Sequence, residues 1–235
     1  MKRSTGPERS FRVCLQLSWN ERSFRWLILH SLARTNPVTQ RHPLTEGRPR
    51  DKREAILRAA LELIDEHGFH GTSMAAVADQ ANVGAGTIYR HFEGKEDLIN
   101  VLYAEARADV HRRIMEKVPP DDRPLKERLY VIWCALIQGH LECPTLFRFC
   151  LQYESSPFIR ASTREAVDAM KEPFRRMDAE GEADGILRPI PTEVRMAFAT
   201  GTANRLVMQH LNGTIALDDD LINDTFDMLW RAISR

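Results

Sequence analysis

The sequence has no net charge: 33 Lys/Arg stand against 33 Asp/Glu, so bulk attraction to a polyanion is no argument for a nucleic-acid partner. It also lacks a long apolar run. The longest near the start, Phe24 to Ala33, is broken by Arg25 and His30. Nothing approaches the roughly 18 apolar residues of a membrane helix, which implies a soluble, cytoplasmic chain with no membrane partner. Cysteine is scarce. Cys14, Cys134, Cys143 and Cys150 form no C-x-x-C pair and no zinc-finger spacing, which reads as reduced thiols. His140, Glu142 and Cys143 stand as H-x-E-C at a helix end, without tetrahedral spacing or a fourth ligand, so no metal is expected. A phosphate-cradling loop, a nucleophile–base pair and paired carboxylates are missing as well. The reading is a non-enzyme without a cofactor.

Strand signals are missing too, since no segment alternates with a period of two in β-branched residues. Helical periodicity runs through most of the rest. Ile56, Ala60, Leu63 and Ile64 form one stripe of a helix that Gly68 can close in the left-handed conformation. Short helices fit Ser73–Gln80 and Ala85–Arg90, and a long one starts at Lys95 and ends before Pro119-Pro120. Beyond them come helices over Pro124–Glu142 and Thr145–Tyr153, one over Pro157–Glu182 kinked at Pro173, then Glu193–Leu211 and Leu217–Ser234. The class is all-α, with about nine helices.

Charge is unevenly spread. Residues 1–50 carry ten Lys/Arg against three acids, or +7, and residues 51–100 carry five against nine, or −4. The proline-punctuated start is acid-poor like a targeting peptide or an extension from an upstream start codon. Its composition favours a disordered basic arm over 1–47. Two helical domains are expected after it, over 48–95 and over 96–235.

The stretch Thr72 to Phe92 carries the chemistry. Ala78 is small where two short helices would cross, and Asn82 accepts the positive φ of the tight turn between them. Val77, Ala81, Val83 and Ile88 fill the inner positions, which together make a helix-turn-helix. On the second helix Ala85 and Gly86 keep the N-terminus slim, and Thr87 offers a hydroxyl and a methyl to base edges. Tyr89, Arg90 and His91 reach flanking phosphates. Thr72, Ser73 and Lys95 sit at helix N-termini that present free N–H groups to phosphate. Arg48 and Arg50 could enter a minor groove, or simply be solvated.

Gly68-Phe69, Thr72-Ser73, Val77-Ala78, Val83, Gly86-Thr87-Ile88-Tyr89, His91-Phe92 and Lys95-Glu96-Asp97-Leu98 resemble the DNA-binding domain of TetR/AcrR-type transcriptional regulators over residues 51–102. Asn82 stands where that family usually has Gly, and Gly84 where it usually has Ser. The resemblance implies DNA contacts by Thr87, Tyr89, His91 and Lys95, Ser73 on phosphate, and a homodimer on a pseudo-palindromic double-stranded DNA operator. It further implies a repressor released by a small apolar or amphipathic effector. Alternatives are a ligand-independent DNA binder or activator, or a partner-binding adaptor that does not read DNA.

In the second half, Trp133, Ile137, His140, Phe147, Cys150, Tyr153, Met170, Phe174 and Met177 are candidate pocket residues, because aromatic and Met side chains line adaptable apolar sites. The same residues could equally form plain core. Ala199 and Ala203 thin one of the last helices, while Phe226 and Trp230, spaced i, i+4, share a face of the other. These four are the expected dimer contacts.

Overall fold

Asp51 opens the helical run: its side chain accepts the Glu54 N–H at 2.8 Å and caps α1, Lys52–Gly71. The computed structural model describes Leu44, Pro49 and residues 51–235. Arg48, Arg50, Cys14 and most of the expected arm lie outside the described residues. Leu44 is the exception. It is buried in the core with Ile56 and Leu57, so packed structure reaches ahead of the expected boundary at residue 48.

Ten α-helices and no strand occur among the described residues. After α1 come α2 (Met74–Gln80), α3 (Ala85–His91) and α4 (Lys95–Met115). Then follow α5 (Leu125–Glu142), α6 (Pro144–Tyr153), α7 (Ala161–Ala169), α8 (Glu172–Ala183), α9 (Thr192–Leu211) and α10 (Asp219–Ile233). The tenth helix comes from a break where one kinked helix is expected. α7 stops at Ala169, and Pro173 lies in the first turn of α8. A proline ring clashes with the carbonyl four residues back, here Ala169, so the chain breaks and restarts where proline is tolerated.

The stripe Ile56, Ala60, Leu63 and Ile64 is buried, and it packs with Val77, Ala78, Ile88, Leu98, Ile99 and Leu102 in one core. α4 belongs to this core through its first half. α6 closes it with Leu146, Phe149 and Tyr153. α5 packs on α4, α9 and α10. Buried polar ties fix the last helices. The Tyr130 hydroxyl donates to Asn223 Oδ1 at 2.6 Å, and the Trp133 indole donates to the Ile222 carbonyl at 3.2 Å, binding α5 to α10. Arg195 of α9 is buried against Asp178 of α8 and donates to the Arg188 carbonyl at 2.7 Å. Cutting one partner of such a buried pair costs about 3–5 kcal/mol, because a lone charge is left behind.

Candidate nucleic-acid interface and internal cavity

The turn between α2 and α3 is built as the residue types require. Asn82 has φ 53°, the sole positive φ of a non-glycine among the described residues. Val83 N–H donates to the Ala78 carbonyl at 2.9 Å, and both side chains close on the core. Ile88, fully buried, anchors α3 from beneath. What remains outside is Ala85 and Gly86, both exposed, then Tyr89 at 59% exposure and Arg90. Thr87 is half-buried. Gly84 starts α3 with no side-chain cap, so the first N–H groups stay free for an acceptor.

Three of the expected contacts sit differently. Thr72 is 2% exposed and its hydroxyl donates to the Gly68 carbonyl at 2.9 Å, so its side chain is turned inward, away from any DNA. The cause is the backbone at Gly68 (φ 69°), which breaks α1 and leaves a carbonyl for Thr72 to satisfy. Ser73 is exposed but its Oγ accepts the Ala76 N–H at 3.1 Å, capping α2, with its hydroxyl proton still able to donate. His91 is half-buried with Nε2 enclosed and unpaired, so that nitrogen does not face outward. Lys95 keeps its place at the start of α4. Its ammonium donates to the Thr72 carbonyl at 2.7 Å and lies 4.2 Å from the Phe69 ring centroid. It pins α4 to the α1–α2 turn.

The comparisons agree with this geometry. Residues 56–102 match the profile of the bacterial regulatory proteins of the tetR family, and residues 124–234 match that of a tetracyclin repressor-like C-terminal domain. The HTH-type transcriptional repressor KstR of Rhodococcus jostii is 30% identical over 156 residues, covering 66% of this chain and 69% of its own. The chain belongs to the TetR family. A TetR-family protein of Vibrio parahaemolyticus superposes with a TM-score of 0.68 at 32% identity, covering 79% of this chain and all of that one. The Bacillus subtilis regulator FadR, solved in complex with stearoyl-CoA, shares the fold at TM-score 0.61 and 22% identity, with 74% and 96% covered. This TetR-family member is thus a DNA-binding transcriptional regulator, of a family of regulators and not of enzymes.

In the C-terminal half of the regulator, a cavity of about 370 Å³ opens between α4, α5, α7, α8, α9 and α10. Of the candidate pocket residues, Trp133, His140, Met170 and Phe174 line it. Phe147 and Cys150 line a separate small cleft of about 20 Å³, which His140 also borders. Ile137, Tyr153 and Met177 are buried and line neither, so they are core. Sequence reasoning missed the α4 wall. Arg107, Val110, His111 and Ile114 recur at i, i+3, i+4 and i+7 along the cavity, and none of them is among the expected pocket residues.

Burial drives the His140 imidazole down to about 3, with Arg107 adding to the effect, so His140 is neutral. Its ring stacks on Phe147 at 4.4 Å and its Nδ1 is enclosed without a partner. The Cys150 thiol is pushed up to about 12, chiefly by burial. A reactive thiol needs the opposite shift.

The expected dimer residues are largely turned inward. Phe226 is 1% exposed, packed edge-on against Tyr130 at 5.1 Å, and it borders the cavity. Ala203 is fully buried, Ala199 borders the cavity, and Trp230 is half-buried. The apolar side chains that face outward on these helices are instead Val194 (55%), Phe198 (51%) and Met228 (68%).

Proposed function

We propose that this regulator is a homodimeric repressor of a pseudo-palindromic operator, released when a small apolar or amphipathic effector fills the cavity. The observation that carries the reading is the double duty of α4. Its first turn holds the helix-turn-helix through Lys95, and its Arg107–Ile114 stretch walls the cavity, so one rigid helix touches both sites. Thr87 reads bases from the slim end of α3, while Ala85, Gly86, Tyr89 and Arg90 approach the backbone, with Ser73 adding a hydroxyl. The Thr72 side chain is withdrawn from that set.

A dimer would place two α3 helices about 34 Å apart, one in each successive major groove. The exposed Val194 and Phe198, at i, i+4 on α9, with Met228 on α10, offer the self-complementary surface that two-fold association needs. The repressor role is supported by the name of KstR, and an amphipathic acyl effector by the stearoyl-CoA complex of FadR.

The test is fluorescence anisotropy on DNA flanking the protein's own gene, across a salt series, with sedimentation of the complex. Two protomers per duplex are expected, with log affinity falling by roughly 0.9 for each phosphate contact per unit log salt. Salt-independent binding, or one protomer per site, would overturn the proposal.

A further inference from the structure

Most cations that line the cavity are already neutralised. Lys171 and Arg175 both pair with Asp168, at 3.1 and 2.8 Å, and Arg195 is locked onto Asp178. Arg107 is different. It borders the cavity from α4 and forms no ion pair or hydrogen bond among the described residues. Glu154, exposed on the same rim, is not within ion-pair distance of it. Arg107 and Glu154 both act electrostatically on Cys150 in the neighbouring cleft, and Arg107 acts also on His140, so Arg107, Glu154 and His140 lie near one another on the cavity wall.

His140 supplies the second observation. It is 7% exposed, it lines the cavity from α5, and its Nδ1 has no partner. That nitrogen is enclosed and does not open to the cavity, so His140 gives the cavity an uncharged wall and leaves Arg107 as its unpaired polar group. The remaining wall is apolar, with Trp133, Leu136, Phe174, Met196 and Leu229.

We infer that the effector is an amphipathic carboxylate, its head group held by the Arg107 guanidinium and its apolar body lying against Trp133 and Phe174. This rests on the cavity being the effector site. A guanidinium presents two parallel N–H groups to a carboxylate, which a neutral or cationic head group cannot exploit.

The test is calorimetric titration of the full-length protein with dodecanoate and with dodecan-1-ol. Dodecanoate should bind at least about tenfold more tightly than the alcohol, the usual yield of one charge-assisted hydrogen bond. Arg107→Met should bring dodecanoate to within about twofold of the alcohol and leave the alcohol unchanged, while Arg107→Lys keeps most of the preference. The acid-against-alcohol comparison on the unaltered protein needs no variant to fold. Equal binding of acid and alcohol, or full acid affinity in Arg107→Met, overturns the head-group assignment and leaves the cavity an effector site for apolar ligands. If neither compound binds, the effector reading falls and this inference with it.

Discussion

Phe158 stacks on Phe69 with ring centroids 4.0 Å apart and planes 22° from parallel. The stack joins the segment between α6 and α7 to the end of α1. Phe69 carries the Lys95 ammonium over its ring, and the Phe158 carbonyl accepts from Asn100 Nδ2 at 2.8 Å. The Asn100 Oδ1 in turn accepts the Arg160 N–H at 2.8 Å. α7, which follows, borders the cavity with Val167 and Asp168. Phe158→Ala should therefore loosen the base of the helix-turn-helix. An aromatic pair contributes about 0.5–1.5 kcal/mol, so operator affinity should fall roughly two- to tenfold with helicity intact. Anisotropy checks this, and unchanged affinity would show the stack to be mere packing.

Lys95 has two separable roles, and Lys95→Met distinguishes them. If the ammonium also meets phosphate, the slope of log affinity against log salt should drop by about 1. Loss of the tie to the Thr72 carbonyl should lower thermal stability by about 1 kcal/mol. A lower melting temperature with an unaltered salt slope would leave Lys95 as a brace only. Thr87→Ala, by contrast, should change sequence preference at constant slope.

Phe226→Ala should cost about 3–5 kcal/mol of protomer stability, since it empties a core site against Tyr130. Phe198→Glu combined with Met228→Glu should give folded monomers, because both side chains stand exposed. Denaturant unfolding and sedimentation separate the outcomes. An intact dimer of the double variant would move the interface off α9 and α10.

The neutral, buried His140 makes folding acid-sensitive. Its folded pKa of about 3 lies below the ordinary 6.5, so the unfolded state binds the proton first as pH falls. Stability is full above pH 6.5 and declines below it, by about 2 kcal/mol on reaching pH 5. His140→Leu should flatten the melting temperature between pH 6.5 and 5. A slope as steep as that of the unaltered protein would assign acid sensitivity to other groups.

The residues that set the turn were legible in the sequence because each has a local conformational reason. Gly68 and Asn82 take positive φ, and Ala78 and Ile88 are buried as their spacing demands. Thr72 was not legible. Two adjacent hydroxyl residues look alike in sequence, and only the break at Gly68 decides which turns inward. Phe226 failed for a different reason. α10 carries one apolar stripe, Ile222, Phe226, Leu229 and Ile233, and periodicity cannot say whether the protomer's own core or a second copy covers it. Arg107 was hidden by being ordinary: a charged residue on a helix reads as solvated until its neighbours prove to be a cavity.

α10 is a wall with two sides. Phe226 and Leu229 border the cavity on one, and Met228 stands clear on the other. In a dimer built on that outer side, two cavities would be separated by little more than two helix diameters, each about 10 Å. Filling one cavity would press on a wall the neighbour leans against. Effector binding should then be cooperative, with a Hill coefficient above one in the dimer and equal to one in the Phe198→Glu, Met228→Glu monomer.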